Sequence, residues 1–202
     1  MSSRSTTDSQ SDKNPLQALE SSIFALEQKR MPPVHLWNPP YCGEIGLRIG
    51  ADGAWSYLES PIGRKSLVKL FASVLRKYED GRHYLVTPVE KIGIEVEDSP
   101  FLAVEMAVRG EGKRQSLVLR TNLDDVVTAG SEHPLRFVKD VQTGGLKPYV
   151  LVRGRLEARL TRALTYDLAE LGRTETVDGD ESFGVWSGGS FFAMASADEL
   201  KF

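Results

Sequence analysis

The segment Pro32-Pro33-Val34-His35-Leu36-Trp37-Asn38-Pro39-Pro40-Tyr41-Cys42-Gly43 constrains this chain more than any other. Each proline fixes φ, removes a backbone donor and pushes the residue before it out of the helical region. No helix is expected to run here, so the segment reads as an extended, preset strap. It also carries the only cysteine, one of three histidines and one of three tryptophans, which makes it a rigid surface edge with chemistry on it.

Around the strap, the 202 residues have 41% hydrophobic content and a net charge of −3. That is enough apolar material for one sizeable core or two small ones, and the near-neutral charge argues against a coat on bulk nucleic acid or a membrane surface. No apolar run approaches a membrane span, and Met1 to Asn14 lacks the apolar segment of a signal peptide. The expectation is a soluble cytoplasmic protein, and lone Cys42 fits a reducing compartment. Residues 1–14 are expected to be a disordered tail. Residues 15–31 are expected to be an accessory amphipathic helix, with Leu16, Leu19, Ile23 and Leu26 at three- and four-residue steps behind Pro15.

Residues 32–98 read as a first α+β domain. Ile45, Leu47 and Ile49 alternate, Asp52-Gly53 turns, and Trp55 and Tyr57 return. From Gly63 the period lengthens: Leu67, Leu70, Phe71, Val74 and Leu75 share a helical face that ends near Tyr78. Strands over His83–Thr87 and Lys91–Glu97 follow.

Residues 99–202 read as a second α+β domain with the same grammar. A hairpin pairs Leu102–Val108 with Leu117–Thr121, a strand pair spans Leu135–Lys139 and Tyr149–Arg153, and a long helix is predicted from about Gly154 to Leu171. Strands around Phe183–Trp186 and Ser190–Ala195 close the chain. Ile62-Gly63-Arg64 opens the first helix much as Arg153-Gly154-Arg155 opens the second. Tyr84–Thr87 aligns loosely with Phe183–Trp186, so the halves look like relatives.

Asp167 falls within the apolar face of Leu156, Leu160, Leu164, Leu168 and Leu171 on that long helix. A carboxylate there calls for a basic partner or a ligand-facing pocket. Arg155, Arg159 and Arg162 share the opposite face, which reads as solvated or phosphate-binding. Arg64 and Arg153 each stand beside a glycine at a predicted helix start, where free N–H groups favour an anion; the alternative is pairing with carboxylates such as Asp167 or Glu157.

Cys42 and His35 are separated by rigid strap and lack an orienting acid, so a catalytic pair is disfavoured. His83 and His133 do not build a metal site. Gly184-Val185-Trp186-Ser187-Gly188-Gly189 is out of register for a nucleophile elbow and reads as a tight strand turn. Gly110-Glu111-Gly112-Lys113-Arg114 lacks the upstream glycine and the Ser/Thr of a phosphate loop, and Asp178-Gly179-Asp180-Glu181 lacks the later calcium ligands. Asn122, Asp124 and Asp125 read as turn residues.

Several ordered blocks together resemble the bacterial domain-of-unknown-function family 1285. They are Pro33-Val34-His35-Leu36-Trp37-Asn38-Pro39-Pro40, Ser60-Pro61-Ile62-Gly63-Arg64, Tyr84-Leu85-Val86-Thr87-Pro88-Val89-Glu90-Lys91 and Phe183-Gly184-Val185-Trp186-Ser187-Gly188-Gly189. Arg120-Thr121-Asn122, Val152-Arg153-Gly154 and Tyr166-Asp167-Leu168 add to the match, which runs from about Pro32 to Met194. The resemblance implies two tandem, related α+β domains, the second superficially like pleckstrin-homology folds. It also implies a ligand groove between them and a role in signal transduction, and it transfers no catalytic residue and no cofactor.

The leading expectation is therefore a non-enzymatic module that binds a nucleotide-like anionic ligand between its domains. Arg64 and Arg153 hold the anion, Trp37 or Trp186 stacks on a ring unless each is core packing, and His35, Asn38, Thr121, Asn122 and Asp167 complete the candidate lining. The alternatives are a protein-interaction adaptor and, behind it, an enzyme using Cys42, His35 or Asp167. Oligomeric state has no signature in the sequence.

Overall fold

The computed structural model describes residues 15–24, 31–141, 143–177 and 179–196. The expected disordered tail, and the part of the leader helix over 25–30, lie outside the described residues. The leader is helical over α1, Pro15–Phe24. Its Leu19 and Ile23 are buried, which docks the helix onto the fold.

The first unit comprises β1 (Tyr41–Ile49), β2 (Trp55–Tyr57), β3 (Ser60–Pro61), α2 (Lys65–Ser73), β4 (Leu75–Lys77), β5 (His83–Val86) and β6 (Lys91–Val96). Its sheet runs β3-β2-β1-β6-β5-β4. Only the central pair, β1 with β6, is parallel (Arg48 beside Glu95, Ile49 beside Val96). Gly53, at φ +76°, makes the first hairpin turn. On α2 the residues Leu67, Val68, Leu70, Phe71 and Ala72 are buried, and α1 packs against that helix. The helix is shorter than its apolar pattern predicts. Leu75 leaves it to pair with Leu85 across β4 and β5, and its inward direction suits either structure.

The second unit repeats the sheet. Strands β7 (Phe101–Arg109), β8 (Ser116–Thr121), β9 (Val126–Thr128), β10 (Leu135–Lys139), β11 (Leu146–Arg153) and β12 (Leu156–Leu160) stand in the order β9-β8-β7-β12-β11-β10. Again only the central pair, β7 with β12, is parallel. Strand for strand this is the topology of the first sheet. The protein is α+β, with two related domains in tandem.

The helix, however, moves between the repeats. In the first domain α2 joins the third strand to the fourth. In the second, α3 (Arg162–Glu170) follows the sixth and leads to a three-stranded sheet of β13 (Arg173–Val177), β14 (Asp180–Ser187) and β15 (Ser190–Ser196). The likeness drawn from 62–64 to 153–155, and from 84–87 to 183–186, is therefore not the repeat's correspondence, since β5 answers to β11.

The expected long helix from Gly154 is corrected as well. Leu156, Ala158 and Leu160 are the buried residues of a strand whose pattern alternates strictly, and the helix is nine residues starting at Arg162. Leucines four apart satisfy both a helical face and every second pair of a strand, so the spacing 156-160-164-168 hides the break between strand and helix. Thr161 caps α3 by accepting from the Leu164 N–H at 3.5 Å. No helix among the described residues is long and apolar enough to cross a membrane.

Candidate functional site

A cleft of about 740 Å³ opens between the domains. One wall is the strap from Met31 to His35, the floor is β4 with the turn after it, and the far wall is the β11–β12 turn at Arg153–Leu156. Its volume is that of a small-molecule site.

The strap is not extended throughout: Val34–Leu36 forms a single 3-10 turn. That turn needs only the N–H groups of Leu36 and Trp37, which bond to Pro33 and Val34 at 2.9 and 3.2 Å, so the prolines do not forbid it. The turn is pinned from beneath by one guanidinium nitrogen of Arg76, which donates to the carbonyls of both Val34 and Trp37 at 3.0 Å. A three-residue strand, β4, supplies that arginine together with Lys77. Nothing in the sequence signalled it, because three residues are too few for a period.

Four cations and two acids line the cleft, and most are already engaged. Arg76 serves the strap and lies 4.4 Å from the Tyr78 ring centroid. Arg153 donates to Asp125 at 2.8 Å and to the Ala72 carbonyl at 2.9 Å. Asp80 accepts from Tyr84 Oη at 2.8 Å and from the Arg82 N–H at 2.9 Å, and these bonds hold its carboxyl below the usual range, the backbone bond more than the tyrosine's. Two further cations are less constrained. Lys77 has no ion pair among the described residues, and Arg155 pairs only with the exposed Glu79, at 2.8 Å. Pro32, Pro33, Val34, Leu75 and Leu156 supply the apolar surface.

Of the residues named from the sequence, His35 and Arg153 line this cleft. Arg153 does so as the last residue of a strand, not at a helix start. Trp37 packs partly buried against the core, and Asn38 is exposed. Arg64 does precede a helix, α2, and it forms an ion pair with Glu20 of α1. Thr121 is fully buried and its hydroxyl accepts from the Leu123 and Asp125 N–H groups, closing a turn. Asn122 accepts from the Leu102 N–H at 3.1 Å. Trp186 donates to Glu175 at 3.0 Å on the C-terminal sheet, with Lys113 5.0 Å from its ring centroid.

Asp167 is exposed on α3, whose buried side chains are Leu164 and Leu168. The apolar face expected around it was partly strand, so there is no buried carboxylate to neutralise. Arg155, Arg159 and Arg162 likewise fall on a turn, a strand and a helix start and share no face. Cys42 is exposed, and the described residues hold no cluster of histidine, cysteine and acid that could bind a metal.

Charge pairs also tie the two domains to each other away from the residues that line the cleft. Lys65 and Lys69 of α2 reach Asp124 at 3.1 and 2.7 Å, and those bonds, Lys69's first, drive its carboxyl far below the usual range. Arg159 joins Asp98 at 2.6 Å to the Ala51 carbonyl at 2.7 Å. Asn122 and Leu102 crowd Gly53, where a Cβ would stand 2.9 Å from the amide nitrogen.

The model of the DUF1285 N-terminal domain, a domain of unknown function, matches residues 32–99, and that of the DUF1285 C-terminal domain matches residues 100–194. The chain belongs to the DUF1285 family. A crystal structure of a DUF1285 family protein from Silicibacter pomeroyi DSS-3 is 46% identical over 91% of this chain and 98% of its own, with a TM-score of 0.81. Another, from Shewanella baltica OS155, is 28% identical over 62% of this chain and 91% of its own, with a TM-score of 0.49. No curated protein matches.

Proposed function

We propose that this DUF1285 protein is a non-enzymatic module that binds a small anionic molecule in the cleft between its two domains. One observation carries the reading. Lys77 and Arg155 are cations with spare donors, and they stand beside the apolar strap and Leu75 and Leu156 in a cleft of about 740 Å³. A few polar anchors on apolar walls are what a small-molecule site requires.

A nucleotide-like ligand fits the anionic part of this description better than the planar part. The Tyr78 ring, which lines the cleft, is flanked by the Arg76 guanidinium at 4.4 Å and the Lys91 ammonium at 4.6 Å from its centroid, and neither Trp37 nor Trp186 is among the lining residues. The ligand the walls favour therefore has an apolar body without a demand for aromatic stacking. On this reading the chain acts by being occupied or empty, which suits the signalling role that the family resemblance suggests.

The test is calorimetric titration of the full chain with a panel of nucleotides, cyclic dinucleotides, inorganic phosphate and medium-chain carboxylates. Saturable binding that Lys77→Ala weakens, with the far-UV circular dichroism unchanged, supports the reading. Silence across the panel removes it.

A further inference from the structure

We propose that Glu79 is an intramolecular stand-in for the ligand, holding Arg155 until the carboxylate of an apolar monocarboxylic acid replaces it. This inference rests on the reading of the cleft as a ligand site and names the ligand class and the means of entry.

The argument begins with which charges are free to exchange partners. Arg76 is fixed by two strap carbonyls and has no carboxylate partner to exchange among the described residues, and Arg153 is held by Asp125 and Ala72. Asp80 has both oxygens occupied by Tyr84 and Arg82. The Arg155–Glu79 pair differs from all of these. Its side chains are 56% and 87% exposed, and the bond at 2.8 Å is the only one that either makes among the described residues. A pair so exposed contributes little, and Glu79 can return to water at almost no cost. A ligand carboxylate that is partly enclosed by Pro33, Val34, Leu75 and Leu156 makes the same bond in a drier place, where it is stronger.

The anchor also selects the class. Arg155 presents a planar fork that matches a carboxylate, and Lys77 adds one point charge. Two donors suffice for a single negative charge. Glu79 and Asp80 at the rim oppose a dianion, and among the described residues no α-helix start lines the cleft to offset that repulsion. Because Glu79 belongs to the first domain and Arg155 to the second, exchange also releases a tie across the cleft mouth. The Arg153 and Arg159 clamps remain in place.

Octanoate is the probe, titrated calorimetrically into the full chain as wild type, Glu79→Gln, Arg155→Gln and the double variant. Glu79→Gln is expected to tighten octanoate binding by roughly 1.5- to fivefold, as the loss of an exposed competing pair allows. Arg155→Gln weakens it, and the gain from Glu79→Gln vanishes in the double variant. An unchanged or weaker affinity in Glu79→Gln overturns the inference and leaves the cleft reading intact. So does a gain that survives without Arg155, since Glu79 then acts at a distance and not by occupying the anchor. Inorganic phosphate binding with the same dependence on Glu79 overturns the carboxylate class. Failure of octanoate while a nucleotide binds at Lys77 overturns this inference alone, whereas failure of every probe removes the cleft reading with it.

Discussion

Arg153, at the end of β11, donates at 2.8 Å to Asp125 of its own domain and at 2.9 Å to the Ala72 carbonyl at the end of the first domain's helix. Both charged side chains are less than a quarter exposed. The arginine thus joins a charge pair within one domain to a carbonyl in the last turn of the other domain's helix. Arg153→Ala leaves Asp125 half-buried without its partner and should cost about 2–3 kcal/mol in urea unfolding. Arg153→Lys recovers part of this, because one ammonium cannot span both acceptors with the same geometry. Equal stability of the alanine variant and wild type would show that the clamp contributes nothing.

Among the described residues, Ser187 is the serine whose hydroxyl ties the C-terminal sheet to the second domain's six-stranded sheet. It is fully buried, donates to the Ala129 carbonyl at 2.7 Å and accepts from the Leu117 N–H at 2.9 Å. Ser187→Ala leaves a buried N–H and a carbonyl without that partner and should cost about 1–3 kcal/mol by denaturant unfolding. A reactive hydroxyl would instead be labelled by fluorophosphonate, and no labelling is expected.

These two residues show where the sequence was legible. The hairpins at Gly53 and Gly188-Gly189, the alternation in β8 and the start of α2 within two residues of Gly63 all carry their geometry in local chemistry and match the reading, whereas β7 is a strand as expected but buries Phe101 and Ala103 and leaves Val104 and Val108 exposed, against its Leu102-Val104-Met106-Val108 alternation. Strands β3, β4, β9, β12 and β13 were missed; β3 has only two residues, and two reasons account for β4, β9 and β12. β4 and β9 have three residues each, too few for periodicity. β12 shares its leucine spacing with the helix that follows it. The site suffered accordingly, because Lys77 lies on β4 and Arg155 on the turn into β12, both within stretches read as helix. The strap was legible in the residues and a groove between the domains only through the family resemblance, whereas the cations of β4 and of the turn into β12 that line the cleft were hidden.

The strap depends on Arg76. Its guanidinium holds the Val34 and Trp37 carbonyls, each at 3.0 Å, while neighbouring prolines offer no N–H for a substitute bond. Arg76→Ala should expose the strap to chymotrypsin at Leu36 and Trp37 under native conditions, with a global loss of about 1–2 kcal/mol. Cleavage at the wild-type rate would mean that proline stiffness alone keeps the strap in place.

Burial of His83 makes stability fall between neutral and mildly acid pH. Its side chain is 8% exposed and its Nε2 has no partner, and burial, helped by nearby Lys77 and opposed by Asp80, pushes its pKa from 6.5 to about 4. Between those values the unfolded chain binds the proton and the folded chain does not, so stability rises with pH. The contribution is complete above about pH 6.5 and is lost as pH falls to about 4, a swing of roughly 2–3 kcal/mol. His83→Phe keeps a ring in the site and removes the titration. Unfolding measured from pH 7 to pH 4.5, above most of the carboxylate range, should show a flatter profile for the variant than for wild type. The slope is the readout, since a change in ring packing moves both ends of the profile together. Identical slopes would mean that protonated His83 finds a partner or water in the folded state.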